Sequence, residues 1–347
     1  MPLLLLPPSF IWATSILLCG LLSPTLGVGG AAHPPFNYSD ALDKAVLFFE
    51  GQRSGKLPIA QRVMWRGDSA LSDGAHENVN LVGGYYDAGD NVKFVWPMAF
   101  TVTLLSWTAV EYENEMGSVM QLQHLRGSVR WGADFILQAH VSPTTLYTQE
   151  FYKGKRELSK YKSDIESFIC AVMPNSGSSQ IPTTPGGLLF IRDSTNLQYA
   201  STSSMVLFMY SKLLNQAHID GVHCRSKYFS SSQIKIFAKS QVDYILGENP
   251  LKMSYMVGFG SKYPLKLHHR ASSIPSIKAH LSKVGCSHGY SEYFNSNNPN
   301  PNIHVGAIVG GPNSNDQFSD MRPDHTHSEP TTYMNAAFVG SVAALVA

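Results

Sequence analysis

The segment Gly84–Asp90 places two carboxylates, Asp87 and Asp90, three residues apart and next to glycines. Two carboxylates at this spacing can converge on one water molecule, so that one takes a proton from it while the other orients it. The chemistry indicated is general base catalysis. An acidic turn or a fragment of a calcium-binding loop has the same pattern, so this segment alone leaves both interpretations open.

A second segment with reactive side chains runs from Ser254 to Arg270. His268 and Arg270 follow a glycine-rich turn, and both side chains can donate hydrogen bonds to sugar hydroxyls. A solvated basic loop would have a similar composition. The segment is therefore a candidate binding loop on its residue types.

The third segment, Phe318–Ala336, contains Asp320 and Glu329, and Glu329 directly precedes an apolar helical pattern. Partial burial would favour the protonated form of Glu329, which is the form a general acid needs. The commoner role of such a glutamate is to stabilise the N-terminus of a helix through the helix dipole.

A metal site at Asp324, His325 and His327 is a further chemistry that this segment allows. Two histidines and one aspartate on one loop are too few and too local to specify a metal. We therefore expect neither a metal nor an organic cofactor.

Helices have to position these segments, because strand patterns are few and short. Apolar residues recur with helical spacing over 41–52, 98–113, 125–139, 150–173, 196–216, 232–246 and 334–347. The stretch 61–90 has no regular period, and an irregular stretch of this length is usually functional. This pattern favours an all-α barrel or toroid whose loops form a cleft at one end; a helical bundle with long surface loops is the alternative.

The composition fits a globular protein and argues against a nucleic-acid partner. The chain has 347 residues, 44% of them hydrophobic and 15% charged, which suits one large domain or two small ones. Lys and Arg total 26 against 25 Asp and Glu. A net charge of +1 provides no basic stripe for a phosphate backbone, so a neutral polymer is the better partner.

The N-terminus predicts a signal peptide over residues 1–30. The first 35 residues contain no charged side chain, and the apolar run Phe10–Leu22 precedes small residues between Gly27 and Ala32. A membrane anchor is the alternative, but the run is short and Pro24 interrupts the segment. We expect secretion and no stable membrane anchor.

Cysteine usage and one glycosylation sequon agree with secretion. Removing the leader leaves Cys170, Cys224 and Cys286, so at most one disulfide is expected and its pairing stays open. Asn37-Tyr38-Ser39 is a sequon near the predicted mature N-terminus.

Together the three segments resemble glycoside hydrolase family nine and, within it, the plant endo-β-1,4-glucanases. The N-terminal part of the resemblance lies in Trp65–Asp68 and Tyr86–Asn91, and the second part in the His-x-Arg pattern that ends at Arg270. The segment Phe318–Ala336 matches a further signature, except that His325 stands where an aromatic residue is expected.

The resemblance implies a single catalytic domain over 36–347 with an (α/α)6 barrel. It also implies hydrolysis of internal β-1,4-glucosidic bonds of cellulose or related glucans with inversion, by a protein secreted to the cell wall. The residues to which it assigns roles are Asp90 as base, Asp87 as its helper with the water, Glu329 as acid, His268, Arg270 and Asp320 around the substrate, and Tyr86 and Trp65 in substrate binding. Inversion predicts a separation of roughly 6.5–9.5 Å between the carboxyl groups of base and acid.

An internal part of the family's catalytic domain is missing near 149/150. Leu146–Gln149 follows the family, and Glu150–Tyr152 follows it again at a much later point, so several barrel helices are absent and the barrel is incomplete. Exposing helix faces costs about 25 cal/mol per Å² of apolar surface, and whole domains are stable by only about 5–15 kcal/mol. The barrel must close with fewer helices, pair with another chain, or fold poorly.

Two functions remain open for a shortened barrel. The first is a working endoglucanase, favoured by the retained carboxylates. The second is an impaired remnant that only binds glucan, or an aberrant isoform, because lost subsites weaken binding of the transition state. The preferred glucan and the oligomeric state are not indicated by the sequence.

Overall fold

Helices build the scaffold of the part of the chain that the computed structural model describes, which comprises residues 36–142, 145–146, 158–177, 180–225 and 227–346. The helices are α1 (Tyr38–Gln52), α2 (Val95–Glu111), α3 (Glu113–Ser118), α4 (Leu122–Ala139), α5 (Leu158–Val172), α6 (Asn196–Gln216), α7 (Ser231–Leu246), α8 (Arg270–Ser273), α9 (Cys286–His288), α10 (His325–Ser328) and α11 (Thr332–Ala343). The prediction of an all-α protein is confirmed. The predicted leader and the predicted junction near 149/150 lie outside the described residues.

Two small antiparallel hairpins accompany these helices. β1 (His140–Ser142) pairs with β2 (Thr145–Leu146), and β3 (Gly221–Cys224) pairs with β4 (Lys227–Ser230). A disulfide between Cys170 and Cys224 joins α5 to β3, which answers the pairing that the sequence left open. Cys286 is free and exposed.

Capping residues explain where several helices begin and end. Ser230 and Gln233 form a capping box at the start of α7, and Gly247 ends the helix with a φ of 127° that favours glycine. The helix predicted from residue 98 begins earlier, at Val95. Pro97 lies in the first turn of this helix, where proline is tolerated because its missing N–H has no helical partner to lose.

α11 lies at the centre of the long helices. It packs against α1, α2, α6 and α7, and nearly all of its residues are buried. A Cβ on Gly340 would lie 2.8 Å from Met205 Cε and 2.9 Å from Thr108 Oγ1, so glycine allows α11 to approach α6 and α2 closely. Among the described residues, none of the helices combines the length and apolar character needed to cross a bilayer.

One face of α2 is apolar and exposed. Phe100, Trp107 and Val110 are 42%, 48% and 80% exposed, and their spacing places them on one side of the helix. The opposite side buries Met98 and Leu105 against the core. Contiguous apolar surface is normally covered in a soluble monomer. The helices in the described part of the chain therefore do not cover this side of α2.

Candidate active site

The loop that contains Asp87 and Asp90 is fixed to the C-terminal end of α1. The Tyr86 N–H donates to the Gln52 carbonyl oxygen (2.9 Å), and the Gln52 side-chain amide donates to the Ala88 carbonyl oxygen (3.0 Å). The Asp87 N–H donates to the Val92 carbonyl oxygen (2.8 Å), which closes the loop. Gln52 thus holds the acidic loop at two points.

Gly89 is where the three predicted segments meet. Its N–H donates to Glu329 Oε1 (3.0 Å), and its carbonyl oxygen accepts from the Arg270 N–H (2.8 Å). A Cβ at this position would lie 2.0 Å from the His268 carbonyl oxygen, so only glycine allows this approach. The structure therefore brings Glu329 and the His-x-Arg segment to the acidic loop.

Asp90 and Arg270 form an ion pair at the cleft. Arg270 Nε donates to Asp90 Oδ1 (2.6 Å), and both side chains are exposed to solvent. Arg270 begins the short helix α8, whose N-cap is His269. The guanidinium orients the carboxylate without burying it.

Asp87 differs from Asp90 in its environment. Burial raises the pKa of the Asp87 carboxyl to about 6, and the Glu329 carboxylate adds to this rise. The Ala88 N–H, which donates to Asp87 Oδ1 (2.9 Å), and the Thr332 side chain act in the opposite direction on this pKa. The two aspartates of the loop thus stand in different environments, as expected for carboxylates with different roles.

His268 is held in one tautomer. Its Nδ1 lies 2.8 Å from the Arg322 carbonyl oxygen, and because a carbonyl oxygen only accepts, Nδ1 carries the proton. The His268 backbone N–H donates to the Ser328 carbonyl oxygen (3.2 Å), next to Glu329. The ring nitrogen Nε2 is left for a partner in the cleft, which His268 lines.

The Asp320 carboxylate accepts hydrogen bonds from two backbone N–H groups. Its Oδ2 accepts from the Leu265 N–H and its Oδ1 from the Lys266 N–H, each at 2.9 Å. Both carboxylate oxygens are thus engaged with the chain that leads to His268. The structure supports a positioning role for Asp320 ahead of direct contact with substrate.

A buried network lies beneath the acidic loop. His269 Nε2 donates to Gln52 Oε1 (2.8 Å), and His269 Nδ1 accepts from the Ser272 N–H (3.1 Å). His304 Nε2 lies 3.3 Å from the same Gln52 oxygen. Burial lowers the pKa of His269 to about 3 and the pKa of His304 well below its usual value, so both rings are neutral. The sequence analysis assigned no role to Gln52, His269 or His304.

A cleft of about 700 Å³ lies beside these groups, and the described residues that line it include His268, His269 and Arg270 but not Asp87, Asp90 or Glu329. Trp65 also lines it, so three of the residues that the sequence analysis placed near the substrate, Trp65, His268 and Arg270, share one cavity wall. Tyr86 is buried, and its hydroxyl donates to Ser69 Oγ (2.9 Å). Because Ser69 itself lines the cleft, Tyr86 supports the wall from inside the protein.

Two aromatic side chains of the cleft were missed by the sequence analysis. Tyr290 and Phe294 lie on a π-helix, Gly289–Phe294, and both line the cleft. The only signal in the sequence was the aromatic spacing of that segment. Its distance from the recognised motifs gave no reason to connect the two.

Asp324, His325 and His327 make local contacts. His327 Nδ1 lies 3.0 Å from the Asp324 carboxylate, and the His325 ring lies 5.8 Å from the His268 ring. Within the residues that the structure describes, no group of three or more His, Cys, Asp or Glu side chains could hold a metal ion.

The loops of this all-α scaffold thus bring a paired-aspartate loop and a glutamate together. A family model, Glycosyl hydrolase family 9, matches residues 38–155 and 149–342. The chain belongs to this family and is a glycoside hydrolase. The two matches meet at 149–155, where the sequence analysis predicted the missing segment.

Individual relatives agree with this assignment. An endoglucanase from Phaseolus vulgaris is 46% identical over 484 aligned positions, which cover 97% of this chain and 98% of the relative. Because that alignment is longer than the 347 residues of this chain, it passes over positions that this chain lacks. The internal deletion is thereby confirmed.

Solved structures show the fold. An endoglucanase from the termite Nasutitermes takasagoensis superposes with a TM-score of 0.73 at 24% identity, covering 90% of this chain and 99% of that one. CelQ from Clostridium thermocellum, solved with cellotriose, gives a TM-score of 0.73 at 21% identity, covering 89% of this chain and 70% of that one. The (α/α)6 architecture predicted from the resemblance is confirmed, with part of the barrel absent.

Proposed function

We propose that this chain hydrolyses internal β-1,4-glucosidic bonds of cellulose or a related glucan with inversion at the anomeric carbon. Asp90 is the base, Asp87 helps to hold the attacking water, and Glu329 is the acid. The observation that carries the proposal is the contact of Glu329 Oε1 with the Gly89 N–H at 3.0 Å, which joins the acid to the loop of the base.

The proposed step uses these groups and one water molecule. Asp90 takes a proton from the water while its oxygen attacks the anomeric carbon, and Glu329 gives its proton to the leaving glycosidic oxygen. Asp90 gains a proton and Glu329 loses one, so proton exchange with bulk water must restore both protonation states before the next cycle. Inversion requires room for the water, hence carboxyl groups roughly 6.5–9.5 Å apart.

The relatives support the substrate class. The Phaseolus vulgaris relative is named an endoglucanase, and CelQ was solved with cellotriose, a short β-1,4-glucan. The near-neutral charge of this chain suits an uncharged polysaccharide. The apolar leader supports secretion to the cell wall, where such a polymer would be met.

Glucan binding without hydrolysis is the second candidate. The missing internal segment and the exposed face of α2 favour it, because lost subsites and lost packing both reduce the precision of a catalytic site. Under this alternative the cleft still contacts sugar, but bond cleavage is absent.

Expression of the mature chain in a secretory host, with reducing ends measured on carboxymethyl-cellulose, tests the proposal. We expect activity that falls roughly 100-fold or more in Glu329→Gln, because general acid catalysis contributes about 10²–10⁴-fold. Glu248→Gln changes an exposed glutamate that pairs with Lys252, and it should leave activity unchanged. Proton NMR of the first product should show the α-anomer.

The outcomes separate the two candidates. Wild-type activity that survives in Glu329→Gln would remove Glu329 as the acid. A β-anomeric first product would contradict inversion. A folded wild type that binds cello-oligosaccharides and releases no reducing ends would favour the binding-only alternative.

A further inference from the structure

We propose that Tyr290 and Phe294 form a sugar-stacking platform in the cleft, which binds one glucosyl unit of a β-1,4-glucan next to Arg270. The choice of glucan as ligand rests on the proposed function. The platform itself rests on the exposure, the ring geometry and the anchoring of this wall of the cleft.

The two rings form a stack with an exposed outer member. Their centroids are 5.2 Å apart with an interplanar angle of 15°, so the rings are nearly parallel. Tyr290 is 60% exposed, whereas Phe294 is partly buried beneath it. An aromatic ring of this size costs free energy when it is left in water without a partner. The exposed ring thus offers a flat apolar surface inside a cleft.

A glucosyl unit has the complementary shape. In a β-linked glucan the hydroxyl groups are equatorial, so each face of the sugar ring presents C–H groups and is apolar. Binding pockets combine apolar and aromatic walls with a few polar groups that fix orientation. Arg270 and His268 line the same cleft and supply such polar groups for the sugar edge.

A buried arginine fixes the aromatic wall. Arg322 is 2% exposed, and its Nη1 donates to the carbonyl oxygens of Tyr293 (2.8 Å), Phe294 (3.0 Å) and Ser296 (2.8 Å). Its Nη2 donates to the Asn298 carbonyl oxygen at 2.8 Å. Burying a guanidinium is costly unless its donors are satisfied, and here these backbone carbonyls and the Asn300 side-chain oxygen satisfy them. Arg322 therefore fixes the position of the segment that contains Phe294.

The same arginine connects the platform to the catalytic segment. Its carbonyl oxygen accepts from His268 Nδ1 (2.8 Å), and the His268 ring meets the Phe294 ring edge-on at 5.7 Å. His268 precedes Arg270 by two residues, and Arg270 bonds Asp90. A sugar on the platform would thus contact a wall of the cleft that is connected, through His268 and Arg270, to the proposed base Asp90.

Cellotetraose binding measured by calorimetry on the full mature chain tests the platform. All variants are made in the Glu329→Gln background, so that turnover does not consume the ligand. We expect Tyr290→Ala to raise Kd about five- to tenfold, as loss of one aromatic contact predicts. Tyr290→Trp should keep Kd within about twofold, because it restores a flat ring. Tyr228→Ala removes another exposed tyrosine, on β4 and outside the cleft lining, and should leave Kd unchanged.

Each outcome decides the proposal separately from the proposed function. Tyr290→Ala with the Kd of its parent would overturn the platform even if the wild type hydrolyses glucan. Equal weakening in Tyr290→Ala and Tyr290→Trp would also overturn it, because ring stacking would then not be the cause. Absence of cellotetraose binding in the parent would overturn it as well. Weakened binding in Tyr290→Ala alone would support it even if the wild type releases no reducing ends.

Discussion

The cleft end of the molecule and the outer side of α2 differ in how they tolerate the missing segment. At the cleft end, Gly89 is hydrogen-bonded both to the Glu329 side chain and to the Arg270 backbone. On α2, Phe100 and Trp107 remain exposed with no described helix over them. The cleft end is held by long-range contacts, whereas the described helices leave this face of α2 exposed.

The difference follows from where each region finds its partners along the chain. The cleft joins residues before the junction, such as Gln52 and Gly89, to residues far beyond it, such as His269 and Glu329. These partners all survive. The exposed face of α2 has no comparable partner among the described residues. Site assembly and barrel closure are therefore separable in this chain.

Replacing Gln52 with methionine is expected to have the largest effect. Gln52 is 1% exposed, and the change leaves the Ala88 carbonyl oxygen and the His269 Nε2–H without their partner. A small displacement of the base loop lowers kcat by roughly 10- to 100-fold, with KM little changed. Buried unsatisfied groups should lower the free energy of unfolding by about 1–3 kcal/mol. Steady-state kinetics and denaturant unfolding measure the two effects.

Gln138→Met is the matched control for this prediction. The Gln138 amide also donates to backbone carbonyls, those of Asn80 (2.7 Å) and Val82 (3.1 Å), but it does not contact the acidic loop. It should change stability without a comparable loss of kcat. A Gln52→Met variant with wild-type kcat would show that the cleft end does not depend on this contact.

An intermediate effect is expected from the titration of Asp87. Its pKa is raised from 3.8 to about 6 in the folded protein, so the protonated form stabilises the fold. This contribution is present below the unfolded pKa and is lost as the pH rises through about 6. Between pH 4 and pH 7 the melting temperature of wild type should therefore fall relative to that of Asp87→Asn, by at least about 2–4 °C.

Thermal unfolding of both proteins at several pH values measures this difference. Asp134→Asn, which changes an exposed carboxylate paired with Arg130, should show no such dependence relative to wild type. A constant difference between wild type and Asp87→Asn across the pH range would mean that Asp87 is not perturbed, and the contrast with Asp90 would be lost.

The smallest change in stability is expected on α2. The double variant Trp107→Gln and Val110→Lys replaces exposed apolar groups, so its unfolding free energy should stay within about 0.5 kcal/mol of wild type. Its binding of a hydrophobic fluorescent dye should fall, because the apolar patch is smaller. Ile59→Lys, at an isolated exposed residue, is the control. Unchanged dye binding in the double variant would show that this face is not the exposed patch of the molecule.

The helices could be predicted well from the sequence because their apolar residues follow helical spacing. α6 has the predicted bounds, 196–216, and α7 begins one residue before its predicted start and ends as predicted. The start of α2 was predicted at residue 98, whereas the helix begins at Val95 and carries Pro97 in its first turn. Local sequence patterns thus predict the helices, and the errors lie at the helix ends.

The site could be predicted only where motif residues carry the chemistry. Asp87, Asp90 and Glu329 were recognised by their spacing and family resemblance, and the structure brings their segments together. The roles of Gln52 and Arg322 depend on partners that are remote in the chain, such as His269, which is 217 residues from Gln52. No local pattern encodes such contacts. Supporting residues therefore become visible only in the folded protein.

The bridge between Cys170 and Cys224 has a consequence for the denatured state. It closes a covalent loop with a sequence separation of 54 residues, shortly after the junction. In the chain-entropy model a loop of this size restricts the unfolded ensemble by about 4 kcal/mol. The disulfide thereby raises the free energy of unfolding of a barrel that lacks several helices, because it restricts the unfolded chain. This stabilisation is available only where thiols are oxidised.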